Sequence, residues 1–279
     1  MTGSRFLRRM RASLISAIVL AAAAANGAQA CGRDTDCVIG GRSYRIAFPA
    51  GHDGTTPIGA IVFSHWFRGT AKDVMRYEPL TALASELGVA FIAAQAAGPD
   101  WNIPGAPNHH ALEEIDELAY FDALIEDVTA RFAIDRTRLV ASGFSSGAMM
   151  VWHLACTRGA AFAGFVPMSG TFWAPVPETC PSGAVNLIHY HGREDPMVPL
   201  SGRRIEDAHQ GDVFEAIEML ARSGGYRPVG TEQTPELQCA RQVADGGKLL
   251  ELCLFAGKHE LKVWHLARAW RNFEASAGR

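Results

Sequence analysis

The sequence predicts an α/β fold, a mostly parallel sheet with helices on both faces. Three observations carry this. Strand-like apolar runs alternate with helical stretches over most of the chain, the pattern of a parallel sheet with helical crossovers. The runs Ala60–Ser64 (AIVFS) and Val89–Ala94 (VAFIAA) are apolar almost throughout, as strands buried on both faces are. The chain has 279 residues, of which 48% are hydrophobic, enough for one large core and marginal for two.

The elements follow in order. Ser43–Phe48 alternates apolar and polar residues, as an edge strand does. After the strand Ala60–Ser64, a helical stretch covers Lys72–Leu87 and ends at Gly88, with Pro79 placed to kink or split it. Val89–Ala94 is the next strand. Gly98–His110, broken by Pro and Gly, reads as a loop. Leu112–Phe132 is the longest helical signal, with Ile115, Leu118, Ala119, Leu124, Ile125 and Val128 on one face at a 3.6-residue period. Leu139–Ser142 is a strand, Gly147–Cys156 a helix, and Phe165–Met168 and Val185–Tyr190 two further strands. Asp212–Ala221 is a helix, Leu249–Phe255 the last strand and Leu261–Ala275 the last helix. Pro175–Ser182 and Tyr226–Glu236 read as loop-like insertions, and no repeat or second domain is evident.

Residues 1–30 read as an export signal. Arg5, Arg8, Arg9 and Arg11 form a basic region, Leu14–Ala25 an apolar one, and Ala28-Gln29-Ala30 a cleavage site. The apolar stretch is shorter than the span of about 20 residues that a membrane helix needs, so stable membrane insertion is not expected. Cys31 directly follows the cleavage site, so lipidation is the competing reading; Ala28 and Gln29 fit a lipobox poorly. The expected organisation is therefore a signal peptide over 1–30 and a single catalytic domain over 31–279. The location is secreted or periplasmic. Removing the four arginines of the signal from 26 basic residues leaves 22 against 29 acidic ones, a net charge of −7 that argues against nucleic acid as a partner. The six cysteines, Cys31, Cys37, Cys156, Cys180, Cys239 and Cys253, all lie after the signal, and an even count in an exported chain reads as disulfides. Six half-cystines admit fifteen pairings. Pairing neighbours in order closes three short loops (Cys31–Cys37, Cys156–Cys180 and Cys239–Cys253), each worth on the order of 2–4 kcal/mol. No C-x-x-C, phosphate-binding or dinucleotide-binding pattern occurs, so neither a metal nor a cofactor is expected.

The chemistry points to Ser145. Gly143-Phe144-Ser145-Ser146-Gly147 follows a strand and opens a helix, where a tight turn exposes a serine hydroxyl and needs small flanking residues. A serine needs a base within hydrogen-bond reach and an acid to orient that base. Asp195 follows the strand that ends at Tyr190 and is the candidate acid, with Glu194 as competitor. His259 follows the last strand and is the candidate base, with His265 as the rival six residues on. His109, His110, His153 and His209 read as surface or core residues. The order Ser145, Asp195, His259 suits a nucleophile–acid–base triad on such a sheet. The oxyanion would take backbone N–H groups from Ser146, at a helix N-terminus, and from Phe67, in the loop after Ala60–Ser64.

On these residues the chain resembles the secreted α/β-hydrolase esterases that include polyhydroxybutyrate depolymerases, feruloyl esterases and acetylxylan esterases. Cys31 to Cys37 with Gly41-Arg42-Ser43-Tyr44 is similar to that family's N-terminal cysteine pair and first strand. Ile134-Asp135-Arg136-Thr137-Arg138-Leu139 resembles its approach to the nucleophile, and Leu154-Ala155-Cys156 its half-cystine on the following helix. His191-Gly192 through Asp195 to Val198-Pro199 resembles its acid loop. The resemblance implies hydrolysis of small or oligomeric esters through an acyl-enzyme. Depolymerases attacking solid polyester commonly carry a linker and a separate binding domain, which are not seen here, so soluble esters are favoured. Three positions depart from the family. Ala148 stands where a second glycine usual after the elbow would be. His65-Trp66-Phe67 replaces the usual His-Gly-Cys of the oxyanion loop. His259-Glu260-Leu261 lacks the usual Trp-Pro beyond the base. Trp66 is expected to narrow the substrate pocket. Trp101 is placed either to line it or to pack as a structural residue. A peptidase of the same fold and an inactive binding protein are the rival functions. The natural ester and the oligomeric state are not read from the sequence.

Overall fold

The computed structural model describes residue 1, residues 31–107 and residues 115–277. The expected signal over residues 2–30, and His109 and His110, lie outside the described residues. Cys31–Arg279 makes up one compact unit.

The chain begins with a hairpin of β1 (Cys37–Ile39) and β2 (Arg42–Ala47). Then come β3 (Ile58–Ser64), α1 (Ala71–Arg76), α2 (Glu78–Glu86), β4 (Ala90–Ala94), α3 (Glu117–Arg131), β5 (Ile134–Phe144), α4 (Ser146–Thr157), β6 (Gly164–Met168) and β7 (Leu187–Gly192). A small hairpin of β8 (Arg204–Ile205) and β9 (Ala208–His209) precedes α5 (Val213–Gly224). The chain closes with β10 (Arg227–Gln233), β11 (Gln238–Val243), β12 (Leu249–Phe255) and α6 (Val263–Ala277).

Ten strands form one sheet in the order β1-β2-β4-β3-β5-β6-β7-β12-β11-β10. The central six, β4 to β12, pair in parallel, and the outer strands pair antiparallel. This is the α/β-hydrolase arrangement of a mostly parallel sheet with flanking helices. Successive residues of a strand point to opposite faces. Accordingly, Ala60 and Val62 of β3 join a core with α3, α4 and α5, while Ile61 and Phe63 join a second core with α1, α2 and α6. That two-sided burial is why β3 and β4 read as unbroken apolar runs.

One local expectation holds, the split at Pro79, and three need correction. The stretch Lys72–Leu87 is two helices that meet at Tyr77, because Pro79 lacks an N–H and fits the first turn of α2. The helix expected from Leu112 starts at Glu117: Asp116 takes the N-cap and accepts from Ala119 N at 2.9 Å, which leaves Ile115 outside the helix. The strand expected over Val185–Tyr190 runs from Leu187 to Gly192, so its end carries His191 toward the acid loop. Tyr226–Glu236 is mostly strand β10, hidden in the sequence by Pro228 and Gly230. Both lie at the bulge of an exposed edge strand, where proline costs no central ladder bond.

The cysteines pair Cys31–Cys37, Cys156–Cys180 and Cys239–Cys253. The Cys31 sulfur is thus bonded to Cys37. Cys239 and Cys253 are directly opposed across β11 and β12. With Glu251 they also form the one cluster of potential metal ligands among the described residues. Its sulfurs are bonded to each other and Glu251 is held by Arg241 and Arg268, so it does not suit a metal.

Candidate active site

Ser145 stands between the end of β5 and the start of α4, with φ 59° and ψ −122°. A non-glycine residue with positive φ is strained and persists only where its surroundings over-determine it. Here the Ser145 N–H donates to Met168 O at 3.0 Å, tying the turn to β6. The flanking glycines are required by space. A Cβ on Gly143 would lie 2.4 Å from Gly147 O, and one on Gly147 would lie 2.0 Å from Ser64 O. The elbow is therefore packed backbone against backbone, both on itself and on the end of β3. Ala148 is fully buried, and its methyl faces Gly170, where an added Cβ would come within 2.7 Å of it. The glycine missing at 148 is thus matched by one at 170.

Asp195 and His259 meet across the carboxyl ends of β7 and β12. His259 Nδ1 lies 2.7 Å from Asp195 Oδ2. The other carboxylate oxygen, Oδ1, accepts from the N–H groups of Met197 at 2.8 Å and Val198 at 2.9 Å. Burial by itself would push the Asp195 carboxyl up. The His259 bond and the two N–H donors outweigh it and hold the carboxyl below its ordinary range. Asp195, rather than the exposed Glu194, is joined to His259. The His259 ring packs on Phe144, the residue before Ser145, with centroids 4.7 Å apart. With Nδ1 bonded to the acid, Nε2 is the nitrogen left for the serine.

His265 is elsewhere. It is buried on α6 and stacked on Tyr190 with centroids 4.3 Å apart, and burial pushes its pKa down to about 3. A base that stays neutral to that pH and does not touch Asp195 is unsuited to take the serine proton.

The loop after β3 is clamped by two buried side chains, His65 and Trp101. His65 is fully buried; its Nδ1 bonds Trp66 O at 2.9 Å and its Nε2 accepts from Ala96 N at 3.1 Å. This requires the proton on Nδ1, and burial lowers the His65 pKa and keeps the ring neutral. The Trp101 indole N–H donates to His65 O at 2.9 Å, and the Arg68 N–H to Pro99 O at 2.7 Å. Trp101 is 1% exposed and packs on Phe121 and His65. Of the two expected places for Trp101, pocket wall or structural packing, its burial fits the second: it holds the loop after β3 from behind. Trp66 is half-buried against the core of α1, α2 and α6 and is not part of the pocket wall, so it does not narrow that pocket. Phe67, the next residue, points the other way and is 39% exposed.

A cavity of about 240 Å³ opens beside Ser145, with Phe67, Ser146, Met149 and Trp173 in its wall. Its far side comes from the segment just after the acid, through Met197, Arg203, Ile205 and Gln210. Trp173 and this hairpin segment were missed because neither carries a motif or a periodicity. Only their positions just beyond β6 and β7, at the carboxyl edge of the sheet, could have pointed to them. A larger cleft of about 320 Å³ at Thr137, Arg138, Trp270 and Glu274 lies by the opposite end of β5, away from Ser145.

Residues 108–213, which include Ser145 and Asp195, match the family model for phospholipase/carboxylesterase. The chain is 31% identical over 171 residues to a probable feruloyl esterase C from Aspergillus terreus, covering 59% of this chain and 58% of that protein. It is 28% identical over 172 residues to feruloyl esterase C from Emericella nidulans, with 59% and 58% covered. The matches thus span about three-fifths of the length of these curated relatives. An acetyl xylan esterase from Aspergillus awamori superposes with a TM-score of 0.59 at 16% identity, covering 83% of this chain and 94% of that one, a likeness of fold. The α/β-hydrolase sheet thus carries, through the Ser145 turn and the Asp195 loop, a segment similar to the phospholipase/carboxylesterase family, and the chain has feruloyl esterase C among its sequence relatives and an acetyl xylan esterase among its likenesses of fold.

Proposed function

We propose that the protein is a serine carboxylic ester hydrolase acting through an acyl-enzyme. Ser145 attacks the ester carbonyl while His259 takes its proton. Asp195 holds His259 in the tautomer that leaves Nε2 to accept, and the N–H groups of Ser146 and Phe67 receive the developing oxyanion. His259 then protonates the leaving alcohol, and a water activated by the same ring releases the acid. The observation that carries the reading is the 2.7 Å bond from buried Asp195 to a His259 packed against the strained elbow of Ser145. Ser145→Ala is expected to abolish both p-nitrophenyl acetate hydrolysis and labelling by a fluorophosphonate probe. Unchanged hydrolysis in that variant would sink the reading. A folded wild-type protein that neither hydrolyses esters nor takes the probe would favour a binding protein on the same scaffold.

For substrate, the feruloyl and acetyl xylan esterase relatives support soluble acyl esters of plant sugars, with short hydroxyalkanoate oligomers as the second class. The cavity of about 240 Å³, walled by Phe67, Met149 and Trp173, suits a small acyl group better than a long lipid chain. Methyl ferulate, acetylated xylo-oligosaccharides and hydroxybutyrate oligomers, run beside p-nitrophenyl esters of rising chain length, separate these classes. Faster cleavage of peptides than of any ester would instead indicate a peptidase.

We further propose that the protein is exported, with residues 1–30 removed. The three disulfides and the basic–apolar–small pattern of the N-terminus support this. N-terminal sequencing of the exported form is expected to start at Cys31; retention of the arginines at the N-terminus would contradict it.

A further inference from the structure

Asp195 is held from behind by two histidines that the chemistry above does not use. His189 and His191 lie two apart on β7, so their side chains share one face, and both are fully buried. His189 Nε2 is 2.9 Å from His191 Nδ1, and His191 Nε2 is 2.7 Å from Val198 O. A carbonyl oxygen only accepts, so His191 Nε2 carries a proton. Burial lowers the pKa of both rings and keeps them neutral, and a neutral imidazole has one N–H. His191 Nδ1 must therefore accept, and His189 Nε2 must donate to it. His189 Nδ1 is then the nitrogen left without a proton. The chain of bonds has a single direction, from His189 to His191 to the Val198 carbonyl. The Val198 N–H then donates to Asp195 Oδ1 at 2.9 Å, and His191 Nε2 itself stands 3.5 Å from Asp195 Oδ2.

Two buried imidazoles are an expensive way to fill a core, since each polar nitrogen taken from water has a desolvation cost that a hydrocarbon of the same size does not. What the pair supplies in return is direction. It holds Val198 at its carbonyl, and the N–H on the other side of the same residue aims the carboxylate. We propose that His191 is a positioning residue for the catalytic acid, with His189 setting its tautomer. This rests on the serine esterase reading above.

The test is steady-state kinetics on p-nitrophenyl acetate with H191L, H191Q and H189F, beside thermal melts. H191L removes the donor to Val198 and is expected to lower kcat roughly 10- to 100-fold, the order lost when a catalytic group is misplaced by about 1 Å, while KM stays within about threefold. The H191Q amide N–H can stand in for Nε2 and is expected to recover most of kcat. H189F, close to isosteric and set against Trp152, keeps the packing but frees the His191 tautomer; its kcat is expected to fall between the two. Packing alone would lower the melting temperature and leave kcat of the folded enzyme intact. A wild-type kcat in folded H191L, or a kcat in H191Q as low as in H191L, overturns the proposal. Should H191L not fold, H189F carries the test by itself: a lowered kcat at unchanged KM supports the proposal, and a wild-type kcat overturns it. The downfield proton NMR signal of the Asp195–His259 bond reads positioning without turnover. It is expected in the wild type and H191Q and lost in H191L; its survival in H191L would count against the proposal. An absence of ester turnover in the wild type, with that signal behaving as expected, would defeat the esterase reading and leave the positioning role standing.

Discussion

At the scale of single residues, the site divides into groups whose type is dictated and groups whose role depends on what touches them. Gly143 and Gly147 belong to the first kind: backbone fills the space where their side chains would be, so the elbow could be read from the sequence. His259 and His265 belong to the second. Both follow the last strand, six residues apart, and sequence cannot say which one faces the acid. Three-dimensional packing separates them, because α6 buries one against Tyr190 and the loop before it brings the other to Asp195. The consequence is measurable. His259→Ala is expected to lower kcat by at least about 1,000-fold, as loss of a triad base does. His265→Phe, which keeps a ring on Tyr190, is expected to leave kcat/KM within about threefold. A large loss in folded H265F with an active H259A would reverse the assignment, and kinetics on the two purified variants decide it. Trp101 carries the same lesson. A tryptophan in a loop at the active edge suggests a pocket wall, yet its indole N–H is used on His65 O and its ring is in the core.

At the scale of elements, legibility followed burial. β3, β4, β6 and β12 came out close to their observed limits because two-sided burial leaves a continuous apolar signature. β10 did not, because an edge strand with an exposed pattern has no apolar face to show, and its Pro228 and Gly230 look like a turn. The ends of helices were less legible than their centres. α3 keeps Leu124, Ile125 and Val128 in the core, as periodicity predicts, but where it starts is decided by the cap at Asp116. α5, by contrast, starts where the sequence placed it, because Asp212 caps it and accepts from Phe214 N and Glu215 N. The parts of the site that were missed are those without an element of their own. The strap from Met197 to Gln210 is a loop with a two-residue hairpin. It walls the pocket only because it leaves the acid loop and folds back toward Trp173, where Gln210 makes an isolated bridge.

At the scale of the whole molecule, burial of titratable groups sets how the fold responds to acid. Among the described residues His65, His153, His189, His191 and His265 all have a pKa lowered, with burial as the leading cause. Each stays neutral in the folded chain and takes up a proton near pH 6.5 once unfolded. The unfolded state therefore binds more protons as the pH drops through that value. The stabilising effect of keeping these rings neutral is complete above about pH 6.5 and is lost as the pH falls toward each folded-state pKa. Asp195 acts in the same sense but lower down. Its depressed pKa contributes stability above the unfolded carboxylate value near 4 and loses it only below. The two groups can thus be told apart by where the loss begins. Unfolding free energy from denaturant titrations is expected to be level between pH 8 and 7 and to fall steadily from about pH 6.5 to 5, before carboxylates titrate. His265 alone, neutral down to about pH 3, is expected to contribute on the order of 2 kcal/mol between pH 6.5 and 5. His265→Phe removes that group while keeping the stack on Tyr190, so its profile should be flatter than the wild type over this window and should meet it nearer neutrality. Parallel profiles for the two proteins, or a wild-type profile that stays level down to pH 5, would show that these rings are not neutral in the folded chain for the reason given.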